Sequence, residues 1–275
     1  MISTSATFAK VSVPVATGTR RRHPLRVQQT VEESILEINN DGVALLQAGK
    51  TEAAMVRLAR CLALMRSREI EGDSEVHYKF ARPVHHESSK TSDSTSRYVF
   101  AAPLAVSTSC SHHCKSAHST DEEPMVCKLL SLVLFNLSLA HHLCALQVLQ
   151  TNTHTAHEES QRRQEVFDLF EKSLRLYELC HSSLVFTNSG VLCSDLSIAV
   201  IVTNNVGEIH KQLHEYRVQN QHEHYRTAVA CSEQLMQIFM FFSANGAPKR
   251  LEGFEDVLSN AIATLNGPQT VAPAA

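Results

Sequence analysis

The chain has 275 residues, of which 43% are hydrophobic, so it is long enough to bury one large or two ordinary cores. Its formal net charge is only −3 with histidine neutral, and this balance gives no electrostatic indication of nucleic acid or of a strongly acidic partner. Nine Gly and eight Pro are too few for a fold of many short strands and turns, so the composition favours helices.

The first 30 residues are predicted to form a disordered basic tail. They contain no Asp or Glu, carry the cluster Arg20, Arg21 and Arg22, and are rich in Ser and Thr. The same composition suits an organelle transit peptide. The eight cysteines lie at irregular spacing, mostly within apolar helical patterns, which favours reduced thiols inside the cell. We therefore expect a cytoplasmic protein, with targeting to an organelle as the alternative.

Residues 31–68 are typical of a helix pair. Ile35, Ile38, Gly42 and Leu45 follow a spacing of three and four residues, which places them on one face of a helix. Gly49 predicts a turn, and Thr51 is expected to cap the second helix.

Residues 69–124 have a different character. Ser, Thr and His are frequent, three prolines interrupt the segment, and no helical period persists, so we predict a largely disordered insertion. Residues 98–106 are briefly apolar and are expected to form either a short strand or a local helix. Soft metal ligands at a separation plausible for zinc also occur in the insertion, and a metal-binding protein is one alternative function. These ligands are Cys110, His112, His113, Cys114 and His118.

Residues 125–150 are apolar on every side of a helix, which predicts a helix buried from several directions. Residues 129–150 carry no formal charge and are long enough to cross a membrane, so a membrane-associated helical protein is a second alternative. Asn136, His141, His142 and Gln147 would be costly in lipid, and a buried core helix is the favoured interpretation.

Four further helices are predicted after this one. They cover about 161–181, 196–213 with Asp195 as a cap, 223–242 with a stop at Asn245, and a terminal amphipathic helix. The segments in order are 1–30 (disordered basic tail), 31–68 (first helix pair), 69–124 (disordered insertion), 125–182 (second helix pair), 195–243 (third helix pair) and 250–266 (C-terminal covering helix).

A short signature recurs within the first helix of each of the three predicted helix pairs. It reads Asn40-Asp41-Gly42, then Asn136-Leu137-Ser138, then Asn205-Val206-Gly207. This pattern resembles the tetratricopeptide repeat, in which a small residue on the first helix lets the second helix approach closely. The resemblance implies an all-α superhelical stack of about three antiparallel helix pairs plus a C-terminal covering helix. It also implies that the first helices line a concave groove, offering Asn39, Val43, Leu46, Phe135, Leu139, His142, Asn204, Glu208 and Lys211 to a partner.

No pattern in the sequence indicates catalysis. GxSxG and GxGxxG are absent, and residues 44–51 match only a relaxed phosphate-loop pattern without the strand that such a loop requires. His210 and His214 lie one turn apart and could chelate a metal, but half-buried packing explains His141 and His210 better. We expect a non-catalytic interaction or scaffold module, without a cofactor, a small-molecule substrate, nucleic acid or a membrane. Its partner would be a peptide or a helix bound in the groove.

Overall fold

The computed structural model describes residues 25–67, 77–80, 99–107, 125–151, 155–185, 193–216, 221–245 and 254–267. Within these ranges the chain is almost entirely helical, with one small two-stranded sheet. The helices are α1 (Leu25–Gln47), α2 (Thr51–Arg66), α3 (Met125–Leu149), α4 (Ala156–Val185), α5 (Cys193–Glu215), α6 (Gln221–Ala244) and α7 (Glu255–Asn266), and the strands are β1 (His77–Phe80) and β2 (Leu104–Ser107).

Each helix packs against the next helix along the chain, from α1 to α7. The most extensive contacts lie within the pairs α1–α2, α3–α4 and α5–α6, and the short connections inside these pairs make their helices antiparallel. Helix α7 packs on α6 and also reaches α5. The predicted all-α architecture of packed helix pairs with a C-terminal covering helix is confirmed.

Helix α3 is buried, as predicted, because α2 and α4 cover it on two sides. Leu132, Phe135 and Leu139 have no exposed surface, and Leu134 and Leu137 have almost none. Among the residues that the structure describes, only the stretch Leu129–Leu149 is long and apolar enough to cross a membrane, and 83% of its most apolar window is buried inside the protein.

The small residues of the recurring signature lie at contacts between the two helices of each pair. A Cβ atom added at Gly42 would lie 2.6 Å from Cγ of Leu58 on α2, and one added at Gly207 would lie 3.1 Å from Cβ of Cys231 on α6. In the middle pair, Ser173 on α4 donates a hydrogen bond of 2.9 Å to the carbonyl of Ser138 on α3. The three pairs therefore close at equivalent points.

Several helix boundaries differ from the predicted ones. Helix α1 begins at Leu25, so residues 25–30 are helical and do not belong to a disordered tail. Helix α4 extends from Ala156 to Val185, four or five residues beyond the predicted range at each end. Helix α5 begins at Cys193, which puts Asp195 inside the first turn and not at the cap position. Residue-level helix ends depend on tertiary contacts, which a periodicity argument does not contain.

Thr51 was expected to cap α2, and this prediction is wrong. The cap position is held by Lys50, which makes no side-chain bond to the helix. Thr51 is buried, and its Oγ1 donates a hydrogen bond of 2.6 Å to Oε1 of Gln147 on α3. The Nε2 of Gln147 in turn lies 3.3 Å from the carbonyl oxygen of Gly49. Thr51 therefore joins the first helix pair to the second.

Candidate functional site

The structure describes two parts of the predicted insertion 69–124, and each of them contributes one strand to a small sheet. Strand β1 pairs antiparallel with β2, with His77 opposite Ser107 and Phe80 opposite Leu104. We call residues 99–107 the docked segment. Its residues 104–107 form strand β2 and its residues 99–103 have no regular secondary structure, so the strand alternative holds for the C-terminal part of this stretch. The Cys and His residues proposed as metal ligands, from Cys110 to His118, lie outside the described residues.

The docked segment lies against the first helices of the pairs. Strand β2 contacts both α1 and α3. Leu104 has no exposed surface, and Ala102 and Val106 are buried as well. At the other end of the segment, Phe100 stacks on Phe254, which immediately precedes α7, with 6.2 Å between ring centroids. The segment therefore crosses the helical stack from the terminal helix to the first pair.

An asparagine on each of α1 and α3 holds the main chain of the docked segment through two hydrogen bonds. The N–H of Val106 donates to Oδ1 of Asn40 at 2.9 Å, and Nδ2 of Asn40 donates to the carbonyl of Val106 at 2.8 Å. Asn136 bonds Leu104 in the same way, at 2.8 Å to its N–H and 2.9 Å to its carbonyl. A carboxamide carries both a donor and an acceptor, so each asparagine forms the two hydrogen bonds that a neighbouring strand would otherwise form.

Helix α5 supplies a third pair of hydrogen bonds. The N–H of Phe100 donates to Oδ1 of Asn205 at 3.0 Å, and Nδ2 of Asn205 lies 3.2 Å from the carbonyl oxygen of Phe100. The three asparagines are the first residues of the three recurring signatures, each two residues before the small residue that closes its helix pair. We call the surface formed by Asn40, Asn136 and Asn205 the asparagine face.

The register of the docked segment follows from the geometry of an extended chain. Residues 104 and 106 of β2 are two positions apart, so their N–H and C=O groups point to the same side, toward α1 and α3, and both groups of Phe100 face Asn205 on α5. Ala105 and Ser107 have the opposite parity and lie opposite Lys79 and His77 of β1. Pro103 lacks an N–H group, but its parity keeps it away from the asparagines, so no bond is lost there.

A second layer of polar side chains fixes the orientation of the asparagine face. Oδ1 of the fully buried Asn39 accepts a hydrogen bond of 3.0 Å from Nδ2 of Asn136. Nδ2 of Asn205 also donates to the hydroxyl of Tyr177 at 3.0 Å. Burial raises the pKa of Tyr177, while the bond to Asn205 opposes this shift to a smaller extent. The Tyr177 hydroxyl therefore stays neutral at physiological pH and holds Asn205 in place.

The residues predicted to line an open groove are placed differently. All but Lys211 are buried, and the aliphatic and aromatic members belong to the core. Nδ2 of Asn39 lies 3.4 Å from the carbonyl oxygen of Leu104 in the docked segment, and Nδ2 of Asn204 donates to Oδ1 of Asn205 at 3.1 Å. Glu208 has no exposed surface and forms an ion pair of 2.9 Å with Lys211, which also donates to Oδ1 of Asn260 on α7. The buried members are Asn39, Val43, Leu46, Phe135, Leu139, His142, Asn204 and Glu208.

On α1, α3 and α5, the predicted groove residues Asn39, Phe135 and Asn204 each lie one position before the asparagine that makes paired hydrogen bonds to the docked segment. Asn40, Asn136 and Asn205 were visible as a recurring residue, but they were interpreted only as part of the repeat. The signal that could have identified them was the strict recurrence of a carboxamide two residues before each close helix contact.

The histidines marked as possible metal ligands have other partners. His210 Nδ1 lies 2.9 Å from Nδ1 of His224 on α6, and His214 Nδ1 lies 2.9 Å from the carbonyl oxygen of Gln221. His210 is half-buried, as predicted, and so is His141. Across the described ranges, no group of three or more His, Cys, Asp or Glu side chains is arranged to hold a metal ion.

We expect the protein to lose stability as the pH falls from 6.5 toward 4. Burial lowers the pKa of His141 to about 4, with a smaller contribution from Lys172, and burial lowers the pKa of His210 to about 4, with a smaller contribution from His224. Between these values and the unfolded value near 6.5, the unfolded chain binds protons that the folded chain does not. The contribution of these two neutral histidines to the free energy of unfolding is complete above pH 6.5 and decreases as the pH falls toward 4. Thermal unfolding at pH 7.5, 6 and 5 measures it, and a His141→Gln/His210→Gln variant should show a smaller decrease than the wild type.

Comparison with known protein families, curated proteins and solved structures finds no match to this chain. The asparagine face and the docked segment are consequently the features from which a function is inferred.

Proposed function

We propose that the protein is a non-catalytic interaction module that binds an extended peptide along the concave face of a tetratricopeptide-like stack. The observation that carries this proposal is the set of paired hydrogen bonds from Asn40, Asn136 and Asn205 to the main chain of the docked segment. These side chains come from three successive helix pairs, which are spaced along one surface. A surface of this kind recognises a polypeptide chain by its peptide groups.

The hydrogen bonds favour an extended ligand over a helical one. In an α-helix, the N–H and C=O groups of interior residues are already bonded to each other, so they cannot satisfy an external carboxamide. An extended chain leaves both groups of every second residue free on one side. Of the two ligand types expected from the sequence, the asparagine face therefore suits the peptide.

The superhelical arrangement is supported by the equivalence of the three pairs. Each pair closes at Gly42, Ser138 or Gly207, and each first helix presents its asparagine two residues earlier. Stacked pairs that share these positions bring their first helices to one surface, which is where a helical repeat protein binds its ligand.

The proposal is tested with a fluorescent peptide that has the sequence of residues 99–107 (VFAAPLAVS). The receptor is the full chain carrying Leu104→Asp and Val106→Asp, because charges at these buried positions prevent its own segment from docking. We expect this receptor to bind the peptide, and we expect an additional Asn136→Leu substitution to weaken binding by about tenfold or more, since two hydrogen bonds are lost.

Methylated peptides provide matched controls for recognition of the main chain. A methyl group on the amide nitrogen of Leu104 removes a donor that bonds Asn136, and binding should be lost. The same methyl group at Ala101, whose N–H has the opposite parity, should have a much smaller effect. If Asn136→Leu leaves the affinity unchanged, or if both methylated peptides bind equally, the asparagine face is not a peptide-binding surface.

A further inference from the structure

We propose that the docked segment is an internal ligand, which occupies the asparagine face until an extended, uncharged segment of a partner protein replaces it. This inference rests on the proposed function and adds to it the chemical class of the partner and the means of regulation.

The docked segment occupies the asparagine face completely. Each of Asn40, Asn136 and Asn205 uses both its Oδ1 and its Nδ2 on the docked segment. No second main chain can form the same paired bonds while the segment is in place. Binding of a partner at this face consequently requires release of residues 99–107.

The docked segment lies outside the helix pairs that form the asparagine face. It belongs to the connection between α2 and α3, and the three pairs close through contacts that do not involve it, at Gly42, Ser138 and Gly207. Besides its own strand partner β1, it meets the rest of the protein through side-chain amides and apolar contacts. Its release therefore breaks no helical hydrogen bond.

The space that the docked segment fills defines the side chains that a partner segment can have. Ala101, Ala102, Leu104 and Val106 are buried, and residues 99–107 contain no charged side chain. A charged group at a buried position would lose its hydration without gaining a partner. The partner segment must also offer a free N–H at three positions spaced as residues 100, 104 and 106. We infer an extended segment of about seven residues that has small or aliphatic side chains and excludes proline from those three positions.

Tethering determines how strongly the docked segment competes. A segment that belongs to the same chain as the surface it binds competes at an effective concentration of about a millimolar. If it binds with a Kd of about 10 μM, it reduces the apparent affinity for an external peptide by roughly 100-fold, because only about 1% of the faces are empty. Removing this competition should recover most of that factor.

The experiment compares the peptide affinity of the wild-type chain with that of the Leu104→Asp/Val106→Asp chain. We expect the variant to bind the fluorescent 99–107 peptide at least 30-fold more tightly than the wild type, given the competition just described. The matched control is Val56→Asp, since Val56 on α2 is 73% exposed and lies outside the segment, and this variant should bind as the wild type does. Equal affinity of wild type and double variant, with Asn136 still required, overturns the internal ligand but keeps the proposed function. Loss of the Asn136 dependence overturns both.

A second measurement uses the wild-type chain, so the test does not depend on the folding of the double variant. Amide hydrogen exchange is recorded with and without a saturating excess of the peptide. We expect the amides of the chain's own Leu104 and Val106 to lose protection when the peptide binds, while amides in α3 keep theirs. Unchanged protection at Leu104 in the presence of bound peptide shows that the peptide binds elsewhere and overturns the inference.

Discussion

Replacing Gly42 by Ala is expected to lower the free energy of unfolding by about 2–3 kcal/mol, because it overpacks the first helix pair. The new Cβ would lie 2.6 Å from both Cγ and Cδ2 of Leu58, and Leu58 is fully buried. Urea denaturation followed by circular dichroism at 222 nm measures the change. The corresponding change at Gly207 should cost less, because its nearest contact, Cβ of Cys231, would lie at 3.1 Å.

A double variant separates overpacking from other effects of the same substitution. In a Leu58→Ala background the clash is absent, and Ala is favoured over Gly inside a helix by up to about 1 kcal/mol. Gly42→Ala should therefore stabilise the protein in that background, which reverses its sign. The same loss of stability in both backgrounds would show that Gly42 matters for a reason other than its contact with Leu58.

Replacing Asn136 by Leu in the otherwise unchanged protein is expected to lower the free energy of unfolding by about 3 kcal/mol, because it leaves buried polar groups without partners. The N–H of Leu104 loses its acceptor at 2.8 Å, and Oδ1 of Asn39 loses a donor at 3.0 Å. All three residues are fully buried, so water cannot readily replace these bonds. Urea denaturation measures the loss, and faster exchange of the Leu104 amide locates it.

Asn245→Leu is the matched control for this substitution. Asn245 is exposed at the end of α6, where its Nδ2 donates to the carbonyl of Phe241 at 2.7 Å. Solvent can take over this bond, and the change should stay within about 0.5 kcal/mol. If the two asparagine variants have similar stability, the bonds to the docked segment contribute little to the fold.

The helices and their pairing could be predicted because both depend on neighbouring residues. Apolar residues spaced three and four positions apart indicate each helix. Gly42 and Gly207 indicate the contacts between helices because they have no side chain. The docked segment could not be predicted in this way. Its hydrogen bonds reach residues 32 to 105 positions away in the chain, and its own sequence has no helical or alternating pattern to indicate them.

The predicted groove residues lie one position along the helix from the asparagines that make the paired hydrogen bonds. Successive residues on a helix differ by about 100° in direction, so a face assigned one residue away points into a different environment. Asn40 and Asn205 each make paired hydrogen bonds to the docked segment. Of the predicted groove residues Asn39 and Asn204, Asn39 makes one longer bond to it, 3.4 Å from its Nδ2 to the carbonyl oxygen of Leu104. The recurring signature indicates which helix is first in each pair, but the exact rotation of each helix depends on packing that the sequence pattern does not specify.

The hydrogen bonds from the asparagines to peptide groups of the docked segment have an evolutionary consequence. Every amino acid except proline carries the N–H and C=O that the carboxamides need, so residues 99–107 can change identity while the bonds persist. The carboxamides themselves have no such substitutes, because few side chains carry a donor and an acceptor side by side. Among orthologous chains, positions 40, 136 and 205 should consequently vary slowly, while the residues they hold diverge within the limits of size and charge.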